Sequence, residues 1–148
     1  MYDQDLVTRT IGSTVQKIFM DEDTLIFETD KGTFGWTVEG DCCSHSYFHD
    51  FIGVKKLLAG NPIVKAGEVS ELPDKLEYDD SKDDKGWDDC IQVYGYEFVT
   101  LDPKFGEVTS VMAFRNSSNG YYGGWMNSMG DNPSTAGVPE IKKDVLGV

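Results

Sequence analysis

No apolar run in this chain approaches the roughly 20 residues that a membrane-spanning helix needs, which excludes a helical span. The opening segment "MYDQDLVTRT" has neither a basic start nor an apolar core, so no cleaved secretion signal is expected. Cysteine is scarce: there are three, an odd number, and two are neighbours. That pattern argues against a disulfide framework and for a reducing, intracellular setting. Basic residues are also few, 13 against 26 acids, for a net charge of −13. Phosphate backbones would be repelled, so direct nonspecific binding to nucleic acid is disfavoured. A basic partner surface would instead be attracted. Repeats of solenoid length are absent. Gly120, Gly123 and Gly124 lack the Lys-Ser/Thr of a phosphate loop.

What is present suits one folded domain. A chain of 148 residues buries about two-thirds of its unfolded surface. Eight Phe, seven Tyr and three Trp supply core material. In "TVQKIFMDEDTLIFETDKGTFGWTV" apolar residues alternate around two turns, which predicts three antiparallel strands in a meander. "SHSYFHDFIG" places Tyr47, Phe48, Phe51 and Ile52 at helical spacing behind Ser44 as N-cap. Gly53 interrupts, and "VKKLLAG" predicts a further turn or two of helix before the Gly60 and Pro62 stop. "PIVKAGEV", "CIQVYGYEFVTLD" and "TSVMAFRNSS" read as strands, and Asn119-Gly120 is a strong hairpin signal. The expectation is therefore an α+β fold. It is an antiparallel meander of about six or seven strands with one interrupted short helix inserted after the third. Residues 1–130 form the domain, with 71–89 as an acidic loop or arm, and 131–148 form a C-terminal tail.

Three constellations carry candidate chemistry. Cys42, His45 and His49 are spaced C-x2-H-x3-H, and on a helix the two imidazoles would share one face. A closed zinc site needs a fourth ligand, and the paired spacing of zinc modules is missing. A nucleophilic thiol at Cys42 or Cys43 lacks further identifiable members of a catalytic set. Ordinary packing of one cysteine between strand and helix outweighs both, so no cofactor is expected. From Asp74 to Asp89 there are eight acids and three lysines, without the spacing of a calcium loop. Asp79, Asp80, Asp83, Asp84, Asp88 and Asp89 thus form a solvated arm, with Trp87 as an aromatic contact for a partner. Tyr121, Tyr122 and Trp125 could stack a ligand, with Arg115 supplying positive charge. Alternating aromatics on a strand are more often core.

Two segments, "GDCCSHSYFHDFIG…LLAGNPI" and "FRNSSNGYYGG", together resemble a domain-of-unknown-function family of small phage and prophage proteins. In that family a "DCC" pair opens a short helix and a late "SNGYY" marks a hairpin. The matching residues are Asp41, Cys42, Cys43, Ser118, Asn119, Gly120, Tyr121 and Tyr122, and the likeness covers residues 11–127. His45 and His49 do not belong to the pattern, which weakens the zinc reading. The resemblance implies a phage setting and a fold, with no activity to carry over. The expected function is non-enzymatic: a small acidic protein that occupies a host protein in the cytoplasm of an infected bacterium. A nucleic-acid-binding host protein, engaged by mimicry, is one form of this. The alternatives are a sponge for a nucleotide-like signal that counters host defence, and a metal- or thiol-dependent enzyme at Cys42–His49.

Overall fold

The computed structural model describes residues 6–41, 43–69, 72, 90–118 and 123–147. Alternation builds its first sheet. Val15–Met20 (β1), Thr24–Thr29 (β2) and Gly32–Gly40 (β3) pair antiparallel as a meander, as their period-two pattern predicts. Ile18, Leu25, Phe27 and Trp36 turn to one face and are fully buried. Gly124–Ser128 (β8) adds to β3, and Glu140–Ile141 (β9) adds to β1.

The second sheet contains the strand that the sequence disguises. His45–Ile52 is β4, paired with Gly106–Ser118 (β7), and not a helix. This overturns the α+β expectation. The described chain is nearly all β, two five-stranded antiparallel sheets with no helix longer than one turn. The physical reason is a β-bulge. Phe48 faces Phe114 and Phe51 faces Met112, but the register slips by one between Phe48 and Asp50. An extra residue shifts strand parity, so two core-facing side chains stand three apart instead of two. That spacing is the one a helix would use. Ser44 caps no helix; its hydroxyl donates to the Asp41 carbonyl at 2.7 Å.

Strand β4 ends at Gly53, which has φ +76°. A Cβ there would lie 3.0 Å from the Ser110 Cα, and the Ser110 hydroxyl donates to the Gly53 carbonyl at 2.7 Å. Glycine is needed for both the left-handed turn and the close approach. One turn of helix follows, Val54–Leu57 (α1), burying Val54 and Leu57. Ile63–Glu68 (β5), Cys90–Asp102 (β6) and Val145–Leu146 (β10) complete the sheet, in the order β10-β4-β7-β6-β5.

The two sheets pack face to face. Phe27 of the first meets Phe98 of the second with ring centroids 4.9 Å apart, edge to face, and Phe51 at 6.1 Å. Each such fully buried ring contributes about 1.5–3 kcal/mol by removal from water. Behind the second sheet lies a smaller apolar cluster of Val111 and Ala113, covered by Val69, Leu72, Val93 and Ile52.

Residues 129–147, which overlap the segment 131–148 expected as a tail, run along the sandwich as a strap. Met129 and Pro133 press on Gly35, where a Cβ would come within 2.9 Å and 2.8 Å of them. The strap then supplies β9 to the edge of one sheet and β10 to the edge of the other. Between them the Asp144 carboxylate accepts the Val54 N–H at 3.0 Å, capping α1.

Candidate functional site

The segments "GDCC" and "FRNSSNGYYGG" meet at one end of the sandwich. Gly40, the last residue of β3, faces Gly124, the first of β8, and the Asp41 N–H donates to the Gly123 carbonyl at 3.1 Å. A tight turn follows, closed by Ser44 N–H to the Asp41 carbonyl at 3.1 Å, with exposed Cys43 at φ 70°. Asn116 of β7 holds the turn from inside. Its amide nitrogen donates to Ser46 Oγ at 2.9 Å and to Ser44 Oγ at 3.2 Å, and Ser46 Oγ donates on to the Glu39 carbonyl at 2.7 Å. A Cβ on Gly40 or Gly124 would lie 2.8 Å from that nitrogen and collide outright with Ser44 or Ser46. The two glycines make room for the amide, and Ser46, which accepts from it, ties the second sheet to Glu39 of the first where β3 crosses into β4. Asn116 is fully buried on the core-facing side of its strand, where burial makes its hydrogen bonds expensive to lose.

A second polar group lies on the opposite face of the same sheet. His45 stacks on Tyr47 at 5.4 Å, and Tyr47 meets His49 edge-on at 5.8 Å. Asp50 stands 4.0 Å from His49 Nε2 and 3.8 Å from the Arg115 guanidinium. Asp50 and Arg115 are 4% and 5% exposed, a buried ion pair that neither member could leave cheaply. The strap closes this group: Gly147 N–H donates to Asp50 Oδ1 at 2.9 Å and to the His49 carbonyl at 3.0 Å.

The candidate residues sort accordingly. His45 and His49 lie on a strand, where four residues span about 13 Å, and the Tyr47 ring stands between them. The helical premise that brought them to one ion is gone, and Cys42 lies outside the described residues. No group of three or more His, Cys, Asp or Glu able to hold a metal occurs among the described residues. Arg115 belongs to the second sheet and pairs with Asp50, whereas Trp125 belongs to β8 of the first. They are not brought to one cleft. Tyr121 and Tyr122, and the whole partner-binding set Asp79, Asp80, Asp83, Asp84, Trp87, Asp88 and Asp89, lie outside the described residues. Sequence reasoning missed Asn116, although a polar residue at a core-facing position of an apolar strand is the signal that marks it. It also missed Asp50 as the partner of Arg115.

The fold and this junction define a two-sheet antiparallel β-sandwich whose family-like segments build a clamped crossover. The chain belongs to the family described as domain of unknown function DUF7448, which matches residues 4–127. No curated protein and no solved structure matches it. Among the described residues no helix is long and apolar enough to cross a membrane. The family match ends within β8, so the strap lies beyond it.

Proposed function

We propose that this protein is a non-enzymatic binding protein of phage origin that occupies a host protein in the cytoplasm of an infected bacterium. The observation that carries the reading is the charge, −13 overall, with eight acids between Asp74 and Asp89. Paired strands flank that segment, β5 before it and β6 after it, where Cys90 stands opposite Ser118 of β7. Glu68 of β5 faces Tyr96 of β6, and Val69 N–H donates to the Gly95 carbonyl at 2.9 Å. A charged segment between paired strands suits recognition of a basic surface, because the scaffold limits the ordering entropy lost on binding. Like charges along it speed encounter with a cationic partner and repel anionic ones. A host protein that binds DNA or RNA offers such a surface, and occupying it would exclude the nucleic acid. The phage setting rests on the "DCC" and "SNGYY" segments.

The test is capture from host lysate between about 50 and 500 mM salt, a range over which screening shortens from over 10 Å to a few ångströms. The wild type is compared with a variant carrying D79N, D80N, D83N and D84N. A single partner retained at low salt, released as salt rises, lost with the variant and competed by DNA or RNA is the expected result. Capture of nothing at low salt, or capture indifferent to salt and to the four substitutions, would remove the proposal.

A further inference from the structure

The strap must cross from one sheet to the other, and the crossing is short. Ile141 of β9 pairs with Ile18 at the edge of the first sheet, and Val145 of β10 pairs with Phe51 at the edge of the second. The steps between them reach at most about 14 Å, against about 10 Å between packed sheets. Residues 142–144 therefore form an arch with little slack. Asp144 fixes it further by accepting the Val54 N–H at 3.0 Å. A cavity of about 460 Å³ lies between this arch and α1, lined by Lys55 and residues 140–145. That volume is within the range of about 300–1,000 Å³ usual for sites of small organic ligands. Half-buried Ile141 and Val145, which pack against the core, give the cavity an apolar side.

The charge of the lining runs against that of the molecule. Lys55, Lys142 and Lys143 stand against Glu140 and Asp144, in a chain of net charge −13. Asp144 keeps its charge while it caps α1, and the balance is still positive. With Lys56 of α1, Lys17 beside Ile18 and Glu28 opposite Lys17 included, five lysines stand against three carboxylates. Asp50 of β4 faces Arg115 at 3.8 Å. The acidic turn at Asp21 begins four residues beyond Lys17. That is about 13 Å along a strand, outside the reach of about 8 Å that charges keep at physiological salt. The lysines are also unpaired. Elsewhere Lys65 finds Glu107 at 3.6 Å. Among the described residues none of Lys55, Lys56, Lys142 and Lys143 makes an ion pair, although the chain has twice as many acids as bases. Bringing like charges to one hollow without partners is unfavourable, and an anion from outside would relieve it.

We propose that the cavity between α1 and the arch binds a small phosphorylated molecule, a phosphate monoester or diphosphate on a body no larger than a nucleoside. A phosphate monoester carries about 1.5–2 negative charges at neutral pH, so it engages two or three ammonium groups at once where a carboxylate engages one. Lysine suits this as a point charge on a flexible stem. Ile141 and Val145 border the uncharged body. Residues 140–145 lie beyond Asn127, where the family match ends, so most of the site belongs to the present chain's extension. It makes no use of the acidic segment from Asp74 to Asp89 and stands or falls apart from the function proposed above.

Titration of the 15N-labelled full chain at about 150 mM salt with adenosine monophosphate, phenyl phosphate, inorganic phosphate and adenosine tests the proposal. The two esters should shift the amides of Lys55, Lys142, Lys143 and Asp144 saturably, with a Kd of about 1 mM or tighter. Inorganic phosphate should bind more weakly and adenosine not at all. Replacing Lys142 and Lys143 together by alanine should weaken binding of the esters at least about fivefold, and replacing both by glutamate should abolish it. Lys31→Ala, in the turn between β2 and β3, should leave the affinity unchanged and controls for general attraction to lysine. All three side chains are exposed, and unchanged amides in β2 and β7 verify that the variants fold. Absence of saturable shifts with both esters, shifts centred elsewhere, inorganic phosphate or adenosine binding as tightly as the esters, or affinity unchanged by the paired alanine substitutions would overturn it.

Discussion

The family-matched part and the strap are stabilised by different physics. Residues 4–127 close a core of large side chains, Phe27, Trp36, Phe48, Phe51, Phe98 and Phe114, all at or near zero exposure. Residues 129–147 bury little of their own. They contribute two-residue strands at two sheet edges, a carboxylate cap on α1, and a backbone N–H aimed at Asp50. One part is held by area removed from water; the other is held by backbone groups that the first leaves unsatisfied at its margins. The comparison teaches why a segment without a core pattern still docks: sheet edges offer hydrogen bonds that any extended chain can take.

The largest expected effect breaks the first part. Phe27→Ala should cost about 3–5 kcal/mol in urea denaturation, because the ring bridges both sheets and its cavity would not collapse. A loss below about 1 kcal/mol would mean that the sheets pack elsewhere. Next comes the ion pair that both parts share. Asp50→Ala removes the carboxylate that faces buried Arg115 and one of the two acceptors of the Gly147 N–H, for about 3 kcal/mol. If Asp50→Asn costs as much, hydrogen bonding fails to explain any of it, and charge alone is responsible.

Truncation after Ser128 sharpens the contrast. The core should survive with a loss of about 2 kcal/mol, from half-buried Ile141 and Val145. The bared edges of β1 and β4 should make the truncated chain self-associate, measured by light scattering. A monomer of unchanged stability would show that the strap contributes nothing. The smallest effect is Asp144→Ala, about 1 kcal/mol for a lost cap, with faster amide exchange at Val54. Equal protection of Val54 in both proteins would contradict the contact.

Parts of this were legible in the residues. The meander over 15–40 shows in clean alternation, and β6 and β7 show in runs of β-branched and aromatic side chains. Strand β4 was not legible, since its bulge imitates helical spacing and the glycine and lysines after it reinforce that reading. Neither were β9 and β10, because two residues carry no period. Of the site, the paired motif segments were visible but their meeting was not. Asn116 reaches Ser44 and Ser46 across some seventy positions of chain, and Asp50 reaches Arg115 over a similar span. Nothing local encodes such partners.

The irregularity at Phe48–Asp50 has a consequence for how this gene can vary. Loss of the His49 codon would leave Phe48 and Phe51 two positions apart, giving one-to-one pairing with inside and outside unchanged on both sides of the lesion. The same loss within a regular strand would turn every later side chain to the opposite face. Frame-preserving deletions should therefore be better tolerated at this position than in an unbroken stretch such as β2.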